Sequence, residues 1–239
     1  MRKSRTKIYQ SWRHVLFTLF IVILPFLALL FFSRIAVISN TELFLAVLTS
    51  FSRLIVAYSI AVVLAWISAT LFYRGRRAIV ALPIFDVLQS FPTFAALPLA
   101  TYWWGRSDLT VIIFLVMTVI WPIFFSIVSS LKLIKRDWEE AAEIAGLKGA
   151  GYIRSFLWPV SIPGLVTGSI IGLGEGWEAL VATEIIVGIK TGLGNFFQIF
   201  VDNPTVTALG ILGLLILIFS INKLLWLPLL EWGHHRMEE

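Results

Sequence analysis

The chain reads as an all-α polytopic membrane protein with about six transmembrane helices, and three observations point there. Of its 239 residues, 59% are hydrophobic, and the mean hydropathy is +0.90, an apolar fraction above that of soluble globular domains. The apolar residues gather into several runs of about 20, the length a helix needs to cross the hydrocarbon core of a bilayer. The period-2 alternation of a membrane β-barrel is missing from the sequence.

The first run, 14–33, follows Arg2, Lys3, Arg5, Lys7 and Arg13. It is longer than the core of a secretory signal, and no convincing small-residue cleavage site follows it, so it reads as an uncleaved span. Residues 40–50 form a short amphipathic lead-in to the second span, 51–73. The third span, 79–102, holds Pro83, Pro92 and Pro98. Pro92 and Pro98 are expected to kink it; a pore-lining helix and a merely bent packing helix both satisfy that pattern. The fourth, fifth and sixth spans are 110–131, 161–187 and 206–230. Pro122 in the fourth is tolerable because neighbouring helices re-satisfy freed backbone groups. Gly172, Gly174 and Gly176 in the fifth permit close helix packing. Trp103, Trp104, Trp158, Trp226 and Trp232 lie near span ends, where indole rings favour the membrane interface. The organisation is therefore a tail (1–13), one transmembrane domain (14–230) with a polar loop at 132–160, and a second tail (231–239). That loop is too small for an enzyme domain.

With six spans both termini share a side, and the basic residues choose it. The face carrying the termini and residues 74–77 and 132–154 collects fourteen Lys and Arg, whereas the other has only Arg34, Arg106 and Lys190. The positive-inside rule places the richer face in the cytoplasm. The net charge of +5 then reflects basic cytoplasmic loops rather than nucleic-acid binding. Cysteine is absent, which excludes disulfides, thiolate metal sites and cysteine nucleophiles. His14, His234 and His235 sit at a span end or in the tail and make no metal-ligand spacing. A G-x-x-x-x-G-K-[S/T] phosphate loop is also missing, so nucleotide hydrolysis cannot be placed on this chain.

Inside the cytoplasmic loop, Asp137 is a plausible N-cap, with Glu139 and Glu140 in the first turn, where carboxylates suit the positive helix end. Ala141, Ala142 and Ala145 give a small, smooth face. Gly146 is suited to stop the helix in the left-handed conformation. A short helix with a close-approach surface fits insertion into a partner's groove; a plain surface helix between spans has the same local pattern.

The segment Glu140-Ala141-Ala142, three residues, Gly146, nine residues, then Phe156-Leu157-Trp158-Pro159 resembles the EAA loop of the membrane subunits of ATP-binding cassette (ABC) importers. Phe156 and Trp158 replace the usual Ile and Leu, and Pro159 is kept. The similarity runs over roughly residues 40–230 and is greatest to the nitrate/sulfonate/taurine-type branch. Ser50-Phe51-Ser52-Arg53 with Ala57-Tyr58 resembles its S-x-x-R…G-F, with Ala57 for Gly. Pro92-Thr93-Phe94-Ala95, Pro98-Leu99 and Trp103-Trp104-Gly105 resemble P-x-x-A…P-L…W-F-G. Trp121-Pro122-Ile123 resembles F-P-I, with Ser126 where Asn is common. Trp177, Leu180-Val181-Ala182 and Glu184 resemble W…L-V-A-A-E, followed by Gly192-Leu193-Gly194. The resemblance implies a six-helix type I importer subunit of the smaller kind. It implies a second permease subunit (homo- or heterodimer), two cytoplasmic ATPase subunits holding ATP and Mg, and an extracytoplasmic substrate-binding protein. No cofactor is expected on this chain. The solute would be small, such as an oxyanion or a sulfonate.

Charges within spans are expensive, so each needs a reason. Arg53 and Glu184 lie near the outer ends of their spans and are candidates for an ion pair. Glu175 and Glu178, at i and i+3, share a helix face and depart from the family pattern, which is usually neutral there. Two carboxylates on a pathway disfavour an anion; either at least one is neutral, or both reach water or a cation, or they bond helices together. Glu178, nearer the outer side, is expected to be the better pathway residue. Asp86 and Gln89 are further pathway candidates. Rival readings are a stand-alone secondary transporter or channel, and a scaffold or sensor without a pathway.

Overall fold

The computed structural model describes residues 39–221, most of 19–35, and residues 223–224. Both tails, His14, Trp226, Trp232, His234, His235 and Arg236 lie outside the described residues, as do the start of the first expected span and the end of the sixth. The helices are α1 (Leu19–Ile35), α2 (Asn40–Phe72), α3 (Gly75–Gln89), α4 (Thr93–Trp104), α5 (Asp108–Lys132), α6 (Arg136–Ile144), α7 (Gly149–Tyr152), α8 (Trp158–Val187), α9 (Leu193–Ile199) and α10 (Pro204–Ile221). A π-helical turn, Ile153–Leu157, joins α7 to α8. No strand occurs among the described residues.

Among the described residues, four helical stretches are long and apolar enough to cross a membrane: α2, α5, the continuous 149–187 stretch and α10. The lead-in at 40–50 is the first three turns of α2, not a separate element. The third expected span, 79–102, differs from a single kinked helix: α3 and α4 meet at 79°. Pro92 causes the break, since it disfavours helical geometry at Phe91 and offers no N–H. The chain ahead of it closes in tight turns, with Ser90 N–H donating to Val87 O and Phe91 N–H to Leu88 O. Pro98, expected to kink as well, sits inside α4 without ending it.

The centre of the bundle is α5. Val111, Leu115, Val119, Ile123, Ile127 and Leu131, four residues apart, are all buried. Against this row α2 sets Ala57, Ala61, Ala65 and Ala69, each fully buried, and α8 sets Gly164, Gly168, Gly172 and Gly176. A Cβ on Gly164 would lie 2.4 Å from Ser126 O, and one on Gly168 2.6 Å from Ile123 Cα. Small side chains at this spacing let helix backbones approach closely, and dispersion contact then holds them where no hydrophobic effect operates between lipid-immersed helices. Gly174 departs from the packing expected of it: no atom of a neighbour lies within 4 Å of where its Cβ would be. Polar links stitch α2 to α8 along the seam. Tyr58 Oη donates to Ser169 Oγ at 2.8 Å and Trp66 Nε1 to Ser161 Oγ at 2.9 Å.

Candidate functional site

At the end of the bundle remote from α6, the alanine row of α2 and the glycine row of α8 each continue, four residues at a time, into a charge. Arg53 precedes Ala57, and Glu184 follows Leu180. The two side chains meet in the interior, Arg53 Nη1 lying 2.5 Å from Glu184 Oε1, with relative exposures of 4% and 0%. Arg53 also donates from Nε to Asp108 Oδ1 at 2.8 Å, and from its Nη atoms to Thr191 O at 3.2 Å and Thr191 Oγ1 at 2.7 Å. Glu184 accepts from Ser50 Oγ at 2.8 Å and from Gly194 N–H at 2.8 Å. Ser50 Oγ in turn accepts from Leu193 N–H at 2.8 Å. Five chain segments are therefore tied by one buried network in which both charges are partnered, the condition for keeping ions out of water. Gly192 fits here only without a side chain. Its φ is +95°, and a Cβ would fall 2.6 Å from Arg53 Nη1. Asp108 and Thr191 were not singled out from the sequence.

The break between α3 and α4 opens a cleft of about 760 Å³ between these helices, α5 and α8. Of the pathway candidates, Asp86, Gln89 and Glu175 line it, together with Phe91, Phe94, Trp121 and Phe125. Gln89 Nε2 donates to Asp86 Oδ1 at 2.7 Å. The lining holds two carboxylates and no Lys, Arg or His. Glu178 is exposed on the same side of α8 but lies outside this lining, so the structure brings the other glutamate to the cleft.

At the opposite end from Arg53, α6 spans Arg136–Ile144 with Lys135 at the N-cap, without a side-chain cap bond. Asp137 is thus inside the first turn rather than capping it, and the helix starts two residues earlier than expected. Glu139 is held by Arg74 from the end of α2, and Arg136 Nε bonds Glu140 Oε1 at 2.8 Å. Gly146 (φ +72°) closes the helix: its N–H donates to Glu143 O and Leu147 N–H to Ala142 O, the paired bonds of a Schellman stop. Ala142 is buried. Glu140, Ala141, Ile144 and Ala145 face outward, and Ile144 is 88% exposed. The result is an outward apolar face of Ala141, Ile144 and Ala145, bordered by the carboxylate of Glu140.

Comparison with known proteins adds the family. The model of the binding-protein-dependent transport system inner membrane component matches residues 61–225. Among curated proteins, the nitrate import permease protein NrtB of Synechocystis sp. is 28% identical over 178 residues, covering 71% of this chain and 64% of that protein. The taurine transport system permease protein TauC of Escherichia coli is 31% identical over 116 residues (48% and 42%). The bicarbonate transport system permease protein CmpB of Synechococcus elongatus is 26% identical over 156 residues (64% and 56%). The matched stretches thus cover less than two thirds of the length of these relatives.

Proposed function

Since the chain belongs to the family of binding-protein-dependent transport inner-membrane components, we propose that it is the permease subunit of an ABC importer, lining the solute pathway and passing the work of a separate ATPase into it. The observation that carries the reading is α6. An apolar face of Ala141, Ile144 and Ala145 is left uncovered on a polar loop, while the helix itself is tied to the end of α2 by the Arg74–Glu139 pair. A partner that grips α6 moves the bundle with it. The positive-inside count favours a cytoplasmic α6, where an ATPase with ATP and Mg is available. Import would need a second permease subunit facing the cleft and a binding protein on the Arg53–Glu184 side. The chain itself is a multi-pass membrane protein.

The cleft bears on the solute. Relatives carry the names of nitrate, taurine and bicarbonate. Carboxylates at Asp86 and Glu175 with no lining cation repel a bare oxyanion. A solute with an ammonium or other donor group beside any anionic group, as in an aminosulfonate, suits that lining better. The rival of a stand-alone secondary transporter predicts broken helices at matching positions of two halves; among the described residues one bent pair occurs, α3–α4.

The test is reconstitution with the ATPase and binding protein from the same source and measurement of solute-stimulated ATP hydrolysis. Glu140→Lys reverses charge at the exposed face, and Gly146→Val forces a β-branched residue into a left-handed turn at a cost of about 1–2 kcal/mol. Both are expected to uncouple hydrolysis from solute while membrane insertion persists. Normal stimulation in both variants would remove the ATPase-docking role of α6.

A further inference from the structure

A second cavity, of about 540 Å³, opens on the α6 side of the bundle where α2 ends and α3 begins. Arg74, Arg76 and Arg77 line it beside Tyr73 and Tyr152. Arg74 is engaged by Glu139 on α6. Among the described residues, neither Arg76 nor Arg77 has a carboxylate partner, the ion pairs being those of Arg53, Arg74 and Arg136. Two exposed guanidiniums without a carboxylate partner, and a third shared with Glu139, thus line one recess.

What lies beside the recess narrows the ligand. Along α3, Arg76, Val80, Ile84 and Val87 follow at helical spacing and share a face. That face is charged at its first turn and apolar thereafter. Ile79 is 76% exposed and Val87 72%, and Val80 and Ile84 are more than half exposed. Leu71, at the edge of the cavity, is exposed too. A soluble anion would use the arginines and leave this apolar strip bare. A molecule with an anionic head and hydrocarbon tails satisfies both, the head at the level of the arginines and the tails along α3.

We propose that this recess binds an anionic phospholipid from the leaflet on the α6 side. The headgroup phosphate sits on Arg76 and Arg77, within reach of the guanidinium that Arg74 shares with Glu139. Guanidinium groups suit the phosphate through paired donors, and the lipid and α6 then draw on the same residue, Arg74.

The test uses the purified full chain, delipidated in detergent and titrated with dioleoylphosphatidylglycerol, dioleoylphosphatidylcholine or inorganic phosphate, with lipid retention read by native mass spectrometry. The wild type is expected to retain the phosphatidylglycerol over the phosphatidylcholine. Arg76→Gln/Arg77→Gln is expected to weaken that retention on the order of tenfold. Lys132→Gln/Lys148→Gln, which removes equal charge from the same side at residues that do not line the recess, is expected to change it less than about twofold. Inorganic phosphate at millimolar concentration is expected not to displace the lipid. Unchanged retention in the arginine variant, an equal loss in the lysine variant, or displacement by inorganic phosphate would each overturn the proposal. The last would assign the recess to a free anion instead. A thermal unfolding scan of each variant separates loss of lipid from loss of fold.

Discussion

Replacing one member of the Arg53–Glu184 pair strands the other in the interior, and the structure sets how badly. Glu184→Gln keeps the side-chain volume and an oxygen that can still accept from Gly194 N–H or Ser50 Oγ. Arg53 meanwhile retains Asp108 and both Thr191 contacts. A loss of about 2 kcal/mol is expected, below the 3–5 kcal/mol typical of breaking a buried pair. Arg53→Met is the harsher change. Glu184, wholly buried, keeps only Ser50 and Gly194, and the loss is expected at about 3–5 kcal/mol. In the double variant no buried charge is left stranded, so its loss should be about 2 kcal/mol smaller than the sum of the two single losses. Thermal unfolding of the purified chain in detergent, followed for wild type, both singles and the double, completes the cycle. Singles that add to within about 0.5 kcal/mol would show that the two charges are not energetically coupled, and the account of this network would fail. Asp108→Asn serves as an internal control. Its side chain is 67% exposed, so less than about 1 kcal/mol is expected.

Two glycines of α8, six residues apart, should behave oppositely. Gly168→Ala puts a methyl 2.6 Å from Ile123 Cα and 2.8 Å from Pro122 O, so α5 and α8 must separate, at a cost of about 2–3 kcal/mol. Gly174→Ala meets open space and should be neutral or stabilising by up to about 1 kcal/mol; equal losses would show that the glycine row does not set the seam. Gly192→Ala carries a positive-φ penalty and a clash with the ion pair, and a lowered unfolding temperature is expected to be partly relieved when Arg53→Met is added; no relief would place the strain elsewhere. In the reconstituted system, Glu175→Gln is expected to change solute-stimulated ATPase activity by about fivefold, roughly 1 kcal/mol, with Glu178→Gln closer to wild type. The reverse order would return the pathway role to Glu178.

Much of this was open to reading in the chain itself, and the failures have physical causes. An arginine and a glutamate in apolar runs each need a partner. Spans that alternate in direction bring residues 53 and 184 to one level, so their proximity follows from chain geometry. Asp108 gave no such signal: in Arg106-Ser107-Asp108 it looks like an ordinary polar helix start. Ser107 does fill the cap, its Oγ accepting from Thr110 N–H, which leaves the carboxylate of Asp108 free to reach Arg53. Of the three prolines of 79–102, Pro92 and Pro98 are indistinguishable locally. Pro98 stays helical between Leu97 and Ala100, both buried in the core, whereas Pro92 follows Ser90 and Phe91, which are exposed. Tertiary packing overrides the break at one proline and not at the other.

The glycines show what a different reading of the same letters yields. Taken as the trio 172, 174 and 176, they suggest general close packing around Glu175. Taken every four residues, Gly164, Gly168, Gly172 and Gly176 define one stripe, and Gly174 falls outside it. At 100° per residue, Ile171, Gly174, Glu175 and Glu178 centre on a direction about a quarter of a turn away from that stripe. Residues of this second direction are exposed in the isolated chain. Neither glutamate therefore joins α8 to α5, because the glycine stripe already occupies that seam. A carboxylate on the second face meets the water of the cleft or a chain other than this one. Glu175, which lines the cleft, is therefore a carboxylate that the packing of this chain does not require.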